Sequence, residues 1–135
     1  VRLLGEDIVL WRAGTTILAW QDLCIHRGTR LSLGRVVGET IECPYHGWTY
    51  GPDGRCIAIP AHPDQTPPSK AAVRTYRATE RYGLIWASLG TPRADVPVHP
   101  EWDEPAYRTM LCGPYVVNAS GPRIVENFLD VGHFP

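Results

Sequence analysis

The sequence predicts an all-β fold of small antiparallel sheets, with a helical element only near its end. Three observations carry that reading. Short runs rich in β-branched and aromatic residues recur through the first 110 residues, turn residues break them at close intervals, and a 3–4-residue apolar spacing sets in only after Gly121-Pro122.

Leu3-Leu4 and then Ile8 to Trp11 read as a strand already under way, with a strand over 6–12 closed by Ala13-Gly14. A second strand over 15–21 completes a hairpin. Residues 23–33 lack strand periodicity. A strand pattern returns over 36–43, with Gly38-Glu39 as a tight turn inside it. Pro44 to Gly47 is a loop, 48–50 a short strand, and Gly51-Pro52-Asp53-Gly54 a strong turn signal. Strands follow over 56–59, 73–78 and 82–89, the last expected to be a core strand. Residues 60–69 form a Pro-rich irregular excursion, and 92–105 a Pro-rich linker or crossover. Val116-Val117 is expected to continue in a strand. In the last segment Ile124, Val125, Phe128 and Leu129 predict a helix, on which Asn127, Asp130 and His133 fall three apart along one side.

Among 135 residues, 44% are hydrophobic and 20% charged, which suits one globular core. A net charge of −1, without a Lys/Arg cluster, points away from nucleic acid and anionic membranes. No apolar run is long enough for a transmembrane helix, and residues 1–10 do not read as a signal peptide. The chain opens without Met, so an upstream piece is expected. Cys56 and Cys112 are isolated and read as buried free thiols, a usage that suits a reducing, cytoplasmic compartment. His62 and His99 lie in Pro-rich stretches without ligand spacing and read as surface residues.

The remaining cysteines each have a histidine close by. Cys24-Ile25-His26 is followed, after sixteen residues, by Cys43-Pro44-Tyr45-His46-Gly47-Trp48. Each short loop offers one thiolate and one imidazole. Zinc modules usually pair cysteines with cysteines and histidines with histidines. A Rieske [2Fe–2S] centre needs the mixed arrangement, because one iron takes two Cys and the other two His. The pattern leaves two other readings standing, a structural zinc site and four core residues with unrelated spacing. Gly28 and Gly47 allow sharp reversals after the histidines, and Pro44 restricts the second loop.

The strings Cys24 to Gly28 and Cys43 to Tyr50 resemble the Rieske signature of bacterial Rieske non-haem iron oxygenases. Residues 2–11 and Tyr82 to Trp86 resemble the same family, so the likeness covers nearly the whole chain. It implies a Rieske domain over 1–100, with two cluster loops on small antiparallel sheets. Residues 101–135 would then be a linker and the start of an α/β catalytic domain. The cluster ligands would be Cys24, His26, Cys43 and His46. The end of the chain is similar to the shorter-spaced element of vanillate and caffeine demethylases. By that likeness His133 is a ligand of a mononuclear Fe(II), Asp130 bridges it to a cluster histidine of an adjacent subunit, and Asn127 and Glu126 shape the same helix. The remaining iron ligands are expected beyond Pro135, so this stretch alone is not expected to be active.

Rieske proteins of cytochrome complexes carry a loop-joining disulfide whose cysteines would fall at Thr29 and Tyr45. They also have a Ser at the position of Trp48. Those differences imply the oxygenase branch and a comparatively low potential, with Tyr50 able to donate to a cysteine sulfur. The implied function is a terminal oxygenase component. NAD(P)H electrons would arrive through a reductase, with or without a ferredoxin, for O₂-dependent hydroxylation or demethylation of an aromatic or heterocyclic molecule in a homotrimer. The alternative is a Rieske-type ferredoxin that only carries electrons.

Overall fold

The structure is a computed structural model that describes residues 1–110 and 112–133, the side chain of His133 excepted. It separates into two compact units, Val1–His99 and Pro100–Pro135. The first is all-β. Its strands are β1 (Arg2–Leu3), β2 (Glu6–Ala13), β3 (Thr16–Gln21), β4 (Arg35–Val37), β5 (Thr40–Glu42), β6 (Thr49–Tyr50), β7 (Cys56–Ala58), β8 (Thr75–Arg81) and β9 (Leu84–Ser88). They form a five-stranded sheet in the order β1-β2-β3-β8-β9 and a four-stranded sheet in the order β4-β5-β6-β7. Every pairing is antiparallel. The predicted fold class holds.

Alternation along β2 and β3 decides where the core lies. The register sets Val9 opposite Trp20 and Trp11 opposite Leu18, so these four share one face of the sheet. That face packs with Ile41, Tyr50 and Cys56 of the second sheet, and with Leu31, Cys24 and Cys43. Trp11 and Trp20 meet edge to face at 4.8 Å and 82°, an arrangement aromatic quadrupoles favour. Both future site cysteines are therefore anchored in the core, not hung from a surface loop.

Several local expectations need correction. β1 ends at Leu3, because Leu4 and Gly5 turn the chain at φ +50° and +89°. The Gly38-Glu39 turn, by contrast, lies where the sequence predicts it, between β4 and β5. β9 is not a core strand: it lies at a sheet edge, and Leu84 and Ile85 are exposed. Its apolar composition had suggested burial, but it has a neighbour on one side only. Val116 and Val117 form no strand and are exposed, having no partner segment to pair with among the described residues.

In the second unit, helix α1 spans Gly121–Leu129, with Pro122 in its first turn. The helix does not reach His133. Asp130 is its C-cap, in extended conformation, and its Oδ1 accepts the Gly132 N–H at 3.0 Å. That local bond competes with continuation of the helix, and Val131–His133 becomes a separate 3-10 turn. Asn127, Asp130 and His133 are thus not one helical stripe. Among the described residues no helix is long and apolar enough to cross a membrane.

Candidate metal centre

Two loops emerge from the core at β3 and β5 and are closed by their own backbones in matching fashion. The Cys24 N–H donates to the Thr29 carbonyl at 2.7 Å, and the Gly28 N–H to the Cys24 carbonyl at 2.9 Å. In the second loop the Cys43 N–H donates to the Trp48 carbonyl at 2.9 Å, and the Gly47 N–H to the Cys43 carbonyl at 3.1 Å. The closing residues stand four and five positions after the cysteine in both cases. Each reversal puts its glycine in the left-handed region, Gly28 at φ +74° and Gly47 at φ +68°. At Gly47 a Cβ would also meet Pro60 Cγ at 3.0 Å, so close packing adds to the conformational requirement.

The first loop is pinned at its base by Asp22. This carboxylate is buried and accepts both the Ser32 N–H at 2.7 Å and the Ser32 hydroxyl at 2.6 Å. A buried carboxylate is tolerated only when its oxygens are so paired. The bonds join the chain before Cys24 to the turn Leu31–Leu33 after the loop. In the sequence this role is marked only by an Asp two residues before a ligand-type cysteine.

The loops bring the four sequence-predicted residues together with a clear polarity. Cys24 and Cys43 are 1% and 2% exposed, whereas His26 is half-buried and His46 exposed. The two imidazoles lie side by side, centroids 4.7 Å apart at 62°. Two further aromatics flank them. Trp48 stacks on His26 at 4.6 Å and 5°, and Tyr45 tilts over His46 at 3.8 Å. The fully buried Tyr50 hydroxyl and Cys24 Sγ share a hydrogen bond at 3.1 Å.

The titration behaviour follows from this layout. Desolvation, then the neighbouring His46 and Arg27, lowers the His26 pKa below its ordinary value. That favours the neutral imidazole a metal requires. Burial pushes the Cys43 thiol up, while backbone N–H groups of Tyr45 and His46 pull the other way. Those N–H donors favour a thiolate, and a bound metal would complete the deprotonation. Burial, then the Cys24 contact, raises the Tyr50 phenol far above its usual range, so it remains a donor.

The donor set fits a two-iron cluster better than a single ion. Tetrahedral zinc calls for four donors around one point. Among the described residues no group of three or more His, Cys, Asp or Glu side chains has that arrangement. A cluster with two protein ligands on each iron does not need it. An inner thiol pair and an outer imidazole pair suit it directly.

Of the other cysteines, Cys56 is buried as expected, but Cys112 is exposed, which corrects its reading as a buried thiol. His62 is exposed. His99 does more than face solvent: its N–H donates to the Tyr82 hydroxyl at 2.9 Å, and the two rings meet at 5.1 Å. Asn127 is exposed on α1, and Asp130 caps it. The side chain of His133, the candidate iron ligand, lies outside the described residues, so its predicted role receives no geometry.

An antiparallel β-fold whose paired loops present two inner thiols and two outer imidazoles is the layout of an iron–sulfur domain. The chain belongs to the Rieske [2Fe–2S] domain family, which matches residues 1–77. Within that family it groups with the oxygenase (α) components of Rieske non-haem iron oxygenases. It is 40% identical over 136 residues to the methylxanthine N1-demethylase NdmA of Pseudomonas putida, covering 99% of this chain and 39% of that protein. The solved structure of NdmA with caffeine superposes with a TM-score of 0.91 over 98% of this chain and 39% of that one. The oxidoreductase NdmD of the same organism is 45% identical over 92 residues, 67% of this chain and 16% of its own length. The chain thus spans about two fifths of the length of NdmA.

Proposed function

We propose that this chain is the cluster-bearing part of an oxygenase component that removes a methyl group from an N-methylated heterocycle. One observation carries the reading: similarity to NdmA runs over 99% of the chain, through the second unit, whereas the match to NdmD takes in 67%. A protein that only carried electrons would need the cluster unit alone. The relatives' names supply the substrate class.

In this reading Cys24, His26, Cys43 and His46 hold the [2Fe–2S] cluster, which when bound supplies electrons singly. Cys24 and Cys43 keep one side of it in the dry core, and Tyr50 directs an O–H at the Cys24 sulfur. His26 and His46 present the other side towards solvent or a partner. In the second unit Asp130 would fix the orientation of the His133 imidazole, a ligand of a mononuclear Fe(II), and Asn127 would shape the same helix. The overall reaction balances as N–CH₃ plus O₂, two electrons and two protons giving N–H, formaldehyde and water. Electrons come from NAD(P)H through a separate reductase, and a homotrimer would set the cluster of one subunit beside the iron of the next.

The test uses the full-length protein with a reductase and NAD(P)H, screened against methylxanthines, methoxy-aromatics and aromatic acids. Formaldehyde in step with O₂ uptake on an N-methylated heterocycle supports the proposal. A protein whose cluster is reduced but which consumes no O₂ with any of these compounds would be an electron carrier instead.

A further inference from the structure

The second loop and the strand that follows it hold the ligands of the first loop. Trp48 directly precedes β6, and Tyr50 lies within it. Trp48 lies flat on His26, 4.6 Å away and only 5° from parallel, while Tyr50 bonds Cys24. Each ligand of the first loop thus has its own partner within residues 48–50. All four cysteines are free, so no disulfide ties the loops. The Cys24–Cys43 contact and the His26–His46 approach join ligand to ligand. Among the described residues, the Trp48 stack is the ring contact that joins an imidazole of one loop to a non-ligand side chain of the other.

The Trp48 ring is itself well fixed. Its carbonyl closes the second loop by accepting the Cys43 N–H at 2.9 Å, and its side chain packs against the core cluster. A plane anchored at both ends can set the plane of its neighbour. His26 needs such help, because Arg27 and Gly28 after it are exposed and offer no wall.

We propose that Trp48 is a positioning residue that clamps the first cluster loop to the second by stacking on His26, fixing that imidazole's plane and slowing its release from iron. The proposal rests on the assignment of the [2Fe–2S] site. Iron and acid-labile sulfide in the wild-type protein test that assignment separately, before any variant is compared.

The experiment uses the full-length protein loaded with its cluster, and the variants Trp48→Phe, Trp48→Leu and Trp48→Ala. Two readouts are taken without turnover: the rate of iron release to an excess of chelator, and the histidine nitrogen couplings of the reduced cluster by pulsed EPR. Phe keeps a flat ring, so W48F should stay within about twofold of wild type with unchanged couplings. Leu fills space without a plane. An aromatic pair is worth about 0.5–1.5 kcal/mol, so W48L and W48A should release iron roughly 2- to 13-fold faster, with the couplings of one histidine altered. W48L that fails to keep its cluster while W48F keeps it also supports the clamp. W48L matching wild type in both readouts overturns it, and so does equal damage in W48F and W48L, which would make indole volume the cause.

Discussion

Replacing Tyr50 by Phe removes one atom from the candidate centre and almost nothing else. The ring is fully buried among core residues that include Cys24 and Cys43, so its packing survives the change. What is lost is the O–H donated to Cys24 Sγ at 3.1 Å. When Cys24 is a metal ligand it is a thiolate without a proton, so the phenol must be the donor. Reduction adds negative charge to the site, and a hydroxyl aimed at the sulfur stabilises the reduced form more than the oxidised one. Removing it lowers the midpoint potential. A hydrogen bond contributes about 0.5–1.5 kcal/mol net, and if the redox difference takes that share, the one-electron potential falls by about 20–65 mV.

Protein-film voltammetry on wild-type and Y50F protein measures this directly. Because burial, and then the Cys24 contact, raises the Tyr50 pKa far above its ordinary value, the phenol stays protonated through the neutral range. The offset between the two proteins should therefore be the same at pH 6 as at pH 8. A Y50F potential equal to wild type within about 10 mV, or higher, would refute the argument that this hydroxyl acts on the sulfur.

Further outcomes follow from neighbouring residues. Gly34→Ala drives a Cβ into the Glu42 backbone carbonyl, directly before Cys43. A backbone cannot yield as a side chain does, so about 1–3 kcal/mol of stability should be lost, visible as a lower Tm. In the native protein, iodoacetamide at pH 8 should label Cys112, which is exposed, and spare Cys56, whose thiol is buried and raised in pKa by that burial. Peptide mass spectrometry reads the difference, and prompt labelling of Cys56 would contradict its burial. Asp130→Asn in the full-length enzyme should leave the Rieske EPR signal intact while reducing coupled turnover at least tenfold or so, and full activity would remove the bridging role.

The fold was legible because hairpins are written locally. Alternation in β2 and β3, the Gly38-Glu39 turn and the Gly51–Gly54 turn each depend on a few adjacent residues. The errors came where a partner decides the outcome. Leu84 and Ile85 carry the composition of an inner strand, yet β9 has a neighbour on one side only. The end of α1 turned on one side-chain bond, from the Gly132 N–H to Asp130, which competes with helix continuation at no cost in sequence periodicity.

The same division runs through the candidate centre. Its four candidate donors stand out by spacing, and each loop is short enough for its closure to be a local matter. The matching hydrogen bonds, four and five residues after each cysteine, show what the spacing had to satisfy. The histidine takes the third position of one loop and the fourth of the other, and the closures still match, so the backbone frame and not the Cys–His interval is the common design. What holds one loop against the other is not local. Neither the stacking of Trp48 nor the burial of Asp22 is visible in residue type or spacing. Yet a stack across the loops and a buried carboxylate at the base of one are what the described structure supplies to keep His26 and Cys24 in place. Donors follow from residue type, whereas their orientation follows from contacts between segments far apart in sequence. Variants at Trp48 and Tyr50 are therefore more informative about this centre than further removal of its ligands.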